Sequence, residues 1–120
     1  MRTLPISEET EKRIALLFAP KDQAIARVML VNECGHNLNL PGQDDPERSD
    51  TERVRFAVLK LSKGRLDKLE RAVRMAKIDY RDALISAGFG EPGKHESWMP
   101  RSRSTPTSLS RLLGWFRQNR

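Results

Sequence analysis

Apolar residues recur three and four apart along most of the chain, a spacing that predicts a series of short helices. Ile14, Leu17 and Phe18 form the stripe of the first. Ser7 is placed to cap it, because its hydroxyl can accept from a free N–H of the first turn. Glu8, Glu9 and Glu11 set negative charge against the positive end of the helix dipole. Pro20 lacks the N–H that a first turn would leave unpaired, and it opens a second helix along APKDQAIARVMLVNECG. Its expected buried face is Ala24, Ile25, Val28 and Val31, with Met29 beside it.

The following HNLNLPGQDDPER gathers Pro41, Gly42 and Pro46 among polar residues and reads as a surface loop. Ser49 and Glu52 then have capping-box spacing ahead of VRFAVLKL. Here Val54, Ala57, Val58 and Leu61 keep helical spacing, while Val54, Phe56 and Val58 also alternate with Arg53 and Arg55 as a strand would. Helix is the reading adopted and strand the alternative. Ser62, Lys63 and Gly64 interrupt the pattern. From Arg65 the stripe Leu66, Leu69, Ala72, Val73 and Ala76 predicts an amphipathic helix, with Asp67–Arg71 and Glu70–Arg74 as expected ion pairs on its outer face. Asp79 is the expected cap of a last helix, YRDALISA, closed by Gly88 with Phe89 folding back on Leu84.

The expected fold class is therefore all-α, a small bundle of about five short helices within residues 1–90, followed by a flexible basic C-terminal tail. Beyond Gly90, EPGKHESWMPRSRSTPTS is too poor in aliphatics to offset its ordering entropy, so 91–106 reads as a flexible linker. Residues 107–120 read as an amphipathic basic segment: Leu109, Leu112, Leu113 and Phe116 follow the i, i+3, i+4, i+7 rule, with Trp115 at the border.

Charge changes the picture from fold to partners. The stretch from Thr51 to Lys77 holds nine Lys or Arg against three acids, a surplus equal to the net +6 of the whole chain. Such segregation favours an acidic partner, although a basic helix face is most often simply solvated. Arg53, Arg55, Lys60, Lys63, Arg65, Lys68, Arg71, Arg74 and Lys77 are the candidate phosphate-neutralising residues. Sequence-specific reading of DNA is not indicated: Ala57 and Gly64 do not have helix-turn-helix spacing, and no aromatic ladder for single-stranded bases is visible.

Candidate chemistry is thin. Glu33, Cys34 and His36 place a thiol near an imidazole, the minimum for nucleophilic catalysis, yet a cysteine at a helix end is more often a packing residue. His36 and His95 are far apart and no second cysteine exists, so no metal site is expected. The glycines at 88 and 90 follow a helix, where a phosphate cradle needs a strand before them. No cofactor, no small-molecule substrate and no enzymatic activity are expected. With one cysteine, no apolar leader after MRTLPISEETEKR and no run of about eighteen apolar residues, the expectation is a cytoplasmic protein.

From Pro20 to Gly90, the proline-started helix ending in NECG, the HNLNLP that follows, RFAVLKLSKG and the closing KIDYRDALISAGF resemble uncharacterised small helical proteins of bacterial genomes. The resemblance implies a helical fold and brings no activity, ligand or site residue. The expectation from the residues is an interaction or adaptor module whose partner is a protein, either acidic or offering an apolar groove. Its expected binding residues are Arg65, Lys68, Arg71 and Arg74 on the basic hairpin and Leu112, Leu113, Trp115 and Phe116 in the tail. The alternatives are non-sequence-specific nucleic-acid binding by 51–77 and peripheral association of 107–120 with an anionic membrane surface. For the tail the further alternatives are that it folds back onto its own domain or is an unstructured terminus.

Overall fold

The computed structural model describes residues 6–35, 38, 50–91 and 93–100, and these contain five helices and no strand. They are α1 (Glu8–Leu17), α2 (Pro20–Glu33), α3 (Thr51–Ser62), α4 (Leu66–Ile78) and α5 (Tyr80–Ala87). The all-α class expected from the spacing is the class observed, and α3 is helical where alternation left a strand open.

The local signals at most ends act as their chemistry dictates. Ser7 accepts from the Thr10 N–H, Pro20 sits in the first turn of α2, and Asp79 accepts from the Arg81 N–H. At the end of α5, Gly88 adopts a left-handed φ of 84°, and the Phe89 N–H returns to the Leu84 carbonyl at 2.8 Å. At the start of α3, Asp50 takes the N-cap position expected of Ser49, and its carboxylate turns to Arg53 at 3.1 Å.

α3 is the helix around which the others pack, in contact with α1, α4 and α5. Its Val54, Phe56, Ala57, Val58 and Leu59 are all buried, together with Ile14 and Phe18 of α1, Leu69, Val73 and Ala76 of α4, and Leu84 of α5. Six consecutive residues, 54–59, are buried, Arg55 among them, so this helix is enclosed on most of its sides, which explains why its apolar residues satisfied both the helical and the alternating pattern. Truncating Leu59 or Phe56 to Ala would cost about 2–5 kcal/mol, the usual range for a buried large-to-small change.

Two features depart from the sequence expectation. The buried line of α2 is Ala26 and Leu30, continued by Cys34 at its C-cap, while Ala24, Ile25 and Val28 face solvent. Apolar residues surround α2, so the pattern alone does not choose the buried stripe. The choice is made by partners: Arg27 reaches Glu11 of α1 at 2.6 Å, and Gln23 donates to the Phe18 carbonyl. Secondly, the packed unit does not stop at Gly90. Residues 93–100, expected to belong to a linker, run as turns against the bundle, with His95 and Trp98 set against Phe56 and Phe89. Arg13, 1 % exposed, explains this docking: it donates to the Trp98 carbonyl from Nε at 3.0 Å and Nη2 at 2.8 Å, and lies 4.0 Å over the Phe56 ring. A buried guanidinium must be hydrogen-bonded, and the segment supplies the acceptors. The second half of the expected linker and the segment 107–120 lie outside the described residues.

Candidate interaction surfaces

The nine bases between Thr51 and Lys77 do not form one patch, because the fold uses most of them. Three on α3 anchor the ends of α2 and α5 or the chain just beyond. Arg55, buried, donates from Nε to the Cys34 carbonyl at 2.8 Å at the end of α2. Lys60 donates to the Ala87 carbonyl at 2.8 Å at the end of α5 and lies 4.8 Å over the Phe89 ring. Arg53 donates to the carbonyls of Phe89 and Gly90 at 3.0 and 2.7 Å. Arg55 and Lys60 meet carbonyls at the negative ends of the α2 and α5 dipoles, while Arg53 holds the two residues that follow the α5 cap. Burial pulls the Arg55 guanidinium below its ordinary pKa, opposed by the nearby Cys34 and Glu52.

On the outer side, Lys77 pairs with Glu33 of α2 at 2.8 Å and Arg74 with Glu70 at 2.6 Å. Asp67 pairs with Arg65 at 3.1 Å, where the helical spacing predicted Arg71 as its partner. Arg65 precedes α4 with an extended backbone, which brings its guanidinium back over the first-turn carboxylate. That pairing, and more weakly the charge of Arg71, hold the Asp67 carboxyl below its ordinary pKa. Among the described residues, the side chains of Lys63, Lys68 and Arg71 meet no hydrogen-bond or ion-pair partner, and Arg71 acts on Asp67 only through its charge. Of the four hairpin residues expected to bind, Lys68 and Arg71 are therefore without an ion pair among the described residues, while Arg65 and Arg74 are exposed but paired. Leu112, Leu113, Trp115 and Phe116 lie outside the described residues.

Cys34 is fully buried, and desolvation, the largest influence on it, pushes its thiol up to about 12. A thiol held protonated in this way is a packing residue and not an activated nucleophile. His36 lies outside the described residues. Among the described residues no cluster of three or more His, Cys, Asp or Glu is placed to hold a metal ion, and no helix is long and apolar enough to cross a membrane.

The surface that sequence spacing missed is the outer side of α2. Ala24, Ile25, Val28 and Met29, with Asn32 and Glu33 at one end, line a concavity of about 370 Å³. Ile25 and Val28 remain 48 % and 55 % exposed there. One signal was available: α2 carries more apolar residues than a single buried stripe can use.

The described residues thus define a small all-α bundle that presents an apolar groove along α2 and, at the α3–α4 corner, three cations with no ion pair among those residues. No protein-family model, curated protein or solved structure matches the chain.

Proposed function

We propose that this protein is a small helical interaction module whose docking surface is the solvent-facing apolar side of α2. The observation that carries the reading is the half-exposed pair Ile25 and Val28 within the concavity of α2. Aliphatic side chains gathered in a concave, weakly polar surface are covered by a partner's apolar helix face at a gain in free energy. A single cysteine, buried as a thiol, supports a reducing cytoplasmic setting for the module. The test is an isotope-labelled full-length chain titrated with a short synthetic amphipathic leucine–lysine helix. Amide shifts are expected to concentrate on α2, and Val28→Asp should weaken binding about tenfold or more without lowering the thermal midpoint. Shifts spread evenly over the bundle, or binding indifferent to Val28→Asp, would overturn it.

Lys63, Lys68 and Arg71, without an ion pair among the described residues, support a second reading, an acidic polymer such as nucleic acid bound at the α3–α4 corner. Three phosphate contacts imply a log–log salt slope of about −2 to −3. Labelled duplex and single strands at low salt test it, with Lys68→Glu/Arg71→Glu expected to abolish binding and reversal of the already paired Arg74 expected to matter less. Membrane association through 107–120 is supported by that segment's composition alone.

A further inference from the structure

Reading the outer side of α2 as a docking surface raises the question of what covers it first, and the size of the groove bears on the answer. A helix of 14 residues is about 21 Å long and about 10 Å wide, so the face offers a footprint of about 200 Å². A stable association of free partners buries about 800 Å² on each side. A second copy paired through α2 would fall well short of that. A tethered occupant would not need it, because a short flexible tether sets an effective concentration near millimolar, at which even a millimolar affinity leaves the site about half filled.

We propose that the occupant is the chain's own segment carrying Leu109, Leu112, Leu113 and Phe116, which docks on Ile25, Val28 and Met29 and competes there with external partners. Three observations converge on it. The first is reach: Trp98 is held on Arg13 of α1, and α1 is in turn joined to α2 by Glu11 and Arg27. Crossing these two helices takes about 20–24 Å, and residues 101–108 span at most about 26–29 Å. The second is shape: an apolar face repeating at i, i+3, i+4 and i+7 matches a groove lined at 24, 25, 28 and 29. The third is charge. The segment from Leu109 onward carries Arg111, Arg117 and Arg120 and no acid, while α1 opens with Glu8, Glu9 and Glu11; Glu9 already meets Lys12 and Arg13 and Glu11 meets Arg27, so Glu8 is the carboxylate of that turn with no ion pair among the described residues.

The test uses the full-length chain as Val28→Cys/Leu112→Cys, with the native Cys34 buried and inert to mild oxidant. Oxidation at low protein concentration is expected to form an intramolecular 28–112 disulfide about tenfold or more faster than the 85–112 disulfide in Ile85→Cys/Leu112→Cys, Ile85 being exposed on α5. Equal rates in the two chains, or a linked dimer whose yield rises with concentration, would overturn the proposal, the latter in favour of a second copy. In parallel, Leu112→Asp/Leu113→Asp is expected to raise affinity for the synthetic helix several-fold by freeing the groove. Unchanged affinity with α2 still binding removes the tail proposal alone. No binding at α2 in either chain removes the docking surface as well.

Discussion

The guanidinium of Arg13 donates twice to the carbonyl of Trp98, at 3.0 and 2.8 Å, across 85 positions of sequence. The same group also donates to the carbonyls of Glu9 and Glu96, at 2.8 and 3.4 Å. One buried side chain therefore ties the segment beyond Gly90 to the first helix. Replacing Arg13 by Met keeps an apolar stem but removes the fork, and the expected loss is about 2–4 kcal/mol in denaturant unfolding. Arg13→Lys should not rescue it, since an ammonium cannot reproduce the planar pattern of donors. In a Trp115→Phe background, Trp98 emission should shift to the red at low denaturant. Unchanged emission and stability would mean that 93–100 is held by something else.

A Cβ placed on Gly64 would stand 2.5 Å from the Leu17 carbonyl oxygen, and Gly64 has a φ of 80°. The turn between α3 and α4 therefore rests directly on the end of α1. Gly64→Ala should destabilise by about 2 kcal/mol or more, from the left-handed backbone and the collision together. Its neighbour Lys63 is also left-handed, with a φ of 53°, but is exposed. Lys63→Gly is expected to be neutral or stabilising by about 1 kcal/mol. Thermal melts of the two variants should move in opposite directions or differ by at least that sum.

His95 packs edge-on to Phe56 at 5.3 Å and to Phe89 at 6.3 Å, with its Nδ1 buried and without a hydrogen-bond partner. Desolvation lowers its pKa below the ordinary 6.5, with Glu96 and Glu52 opposing and Arg53 and Arg13 adding to the shift. The unfolded chain therefore takes up this proton at higher pH than the folded one. Stability contributed by the neutral ring is complete above about pH 6.5 and falls as pH drops through that value toward the lower folded pKa. Melting temperature should decline between pH 7.5 and 5, and His95→Phe should flatten much of the decline. The lowered carboxyls of Glu9, Glu11, Asp67 and Asp79 act at more acid pH, below about 4.5.

Cys34, with its thiol pushed up to about 12 by burial, should react with an alkylating reagent only as fast as the bundle opens. Labelling should be negligible in native buffer at pH 8 and complete in denaturant. Fast native labelling would mean that the end of α2 opens locally.

The helices were legible because their ends carry unambiguous chemistry: Ser7, Pro20, Asp79 and Gly88 each act in the structure as their residue type requires. The stripe of α4 was equally plain, since Leu66, Leu69, Ala72, Val73 and Ala76 fall on one side and Met75 and Ile78 are the exceptions, both exposed. α2 was misread because its apolar residues surround the helix, while Arg27 and Gln23 find partners outside it, at Glu11 of α1 and at Phe18. His95 and Trp98 were hidden for a related reason. Their segment is poor in aliphatics, and its burial depends on a single arginine whose own burial no local pattern reveals.

The same blindness governs the bases, and it gives the sharpest separation of roles. Nine cations in the 27 residues from Thr51 to Lys77 look equivalent in sequence, yet Arg55 and Lys60 close helix ends and Arg53 holds the chain after α5, while Lys68 and Arg71 have no ion pair among the described residues. Removing a cation from a helix end leaves carbonyls without a donor, so Arg55→Met should cost about 2–4 kcal/mol because Arg55 is buried. Lys60→Met should cost less, about 0.5–1.5 kcal/mol, since its amine is more accessible. Lys68→Ala and Arg71→Ala should stay within about 0.5 kcal/mol of the parent. Chemical denaturation of the four variants checks the order. If Lys68 and Arg71 prove as costly as Arg55, they hold the fold, and no cation at the α3–α4 corner is left to meet an acidic partner.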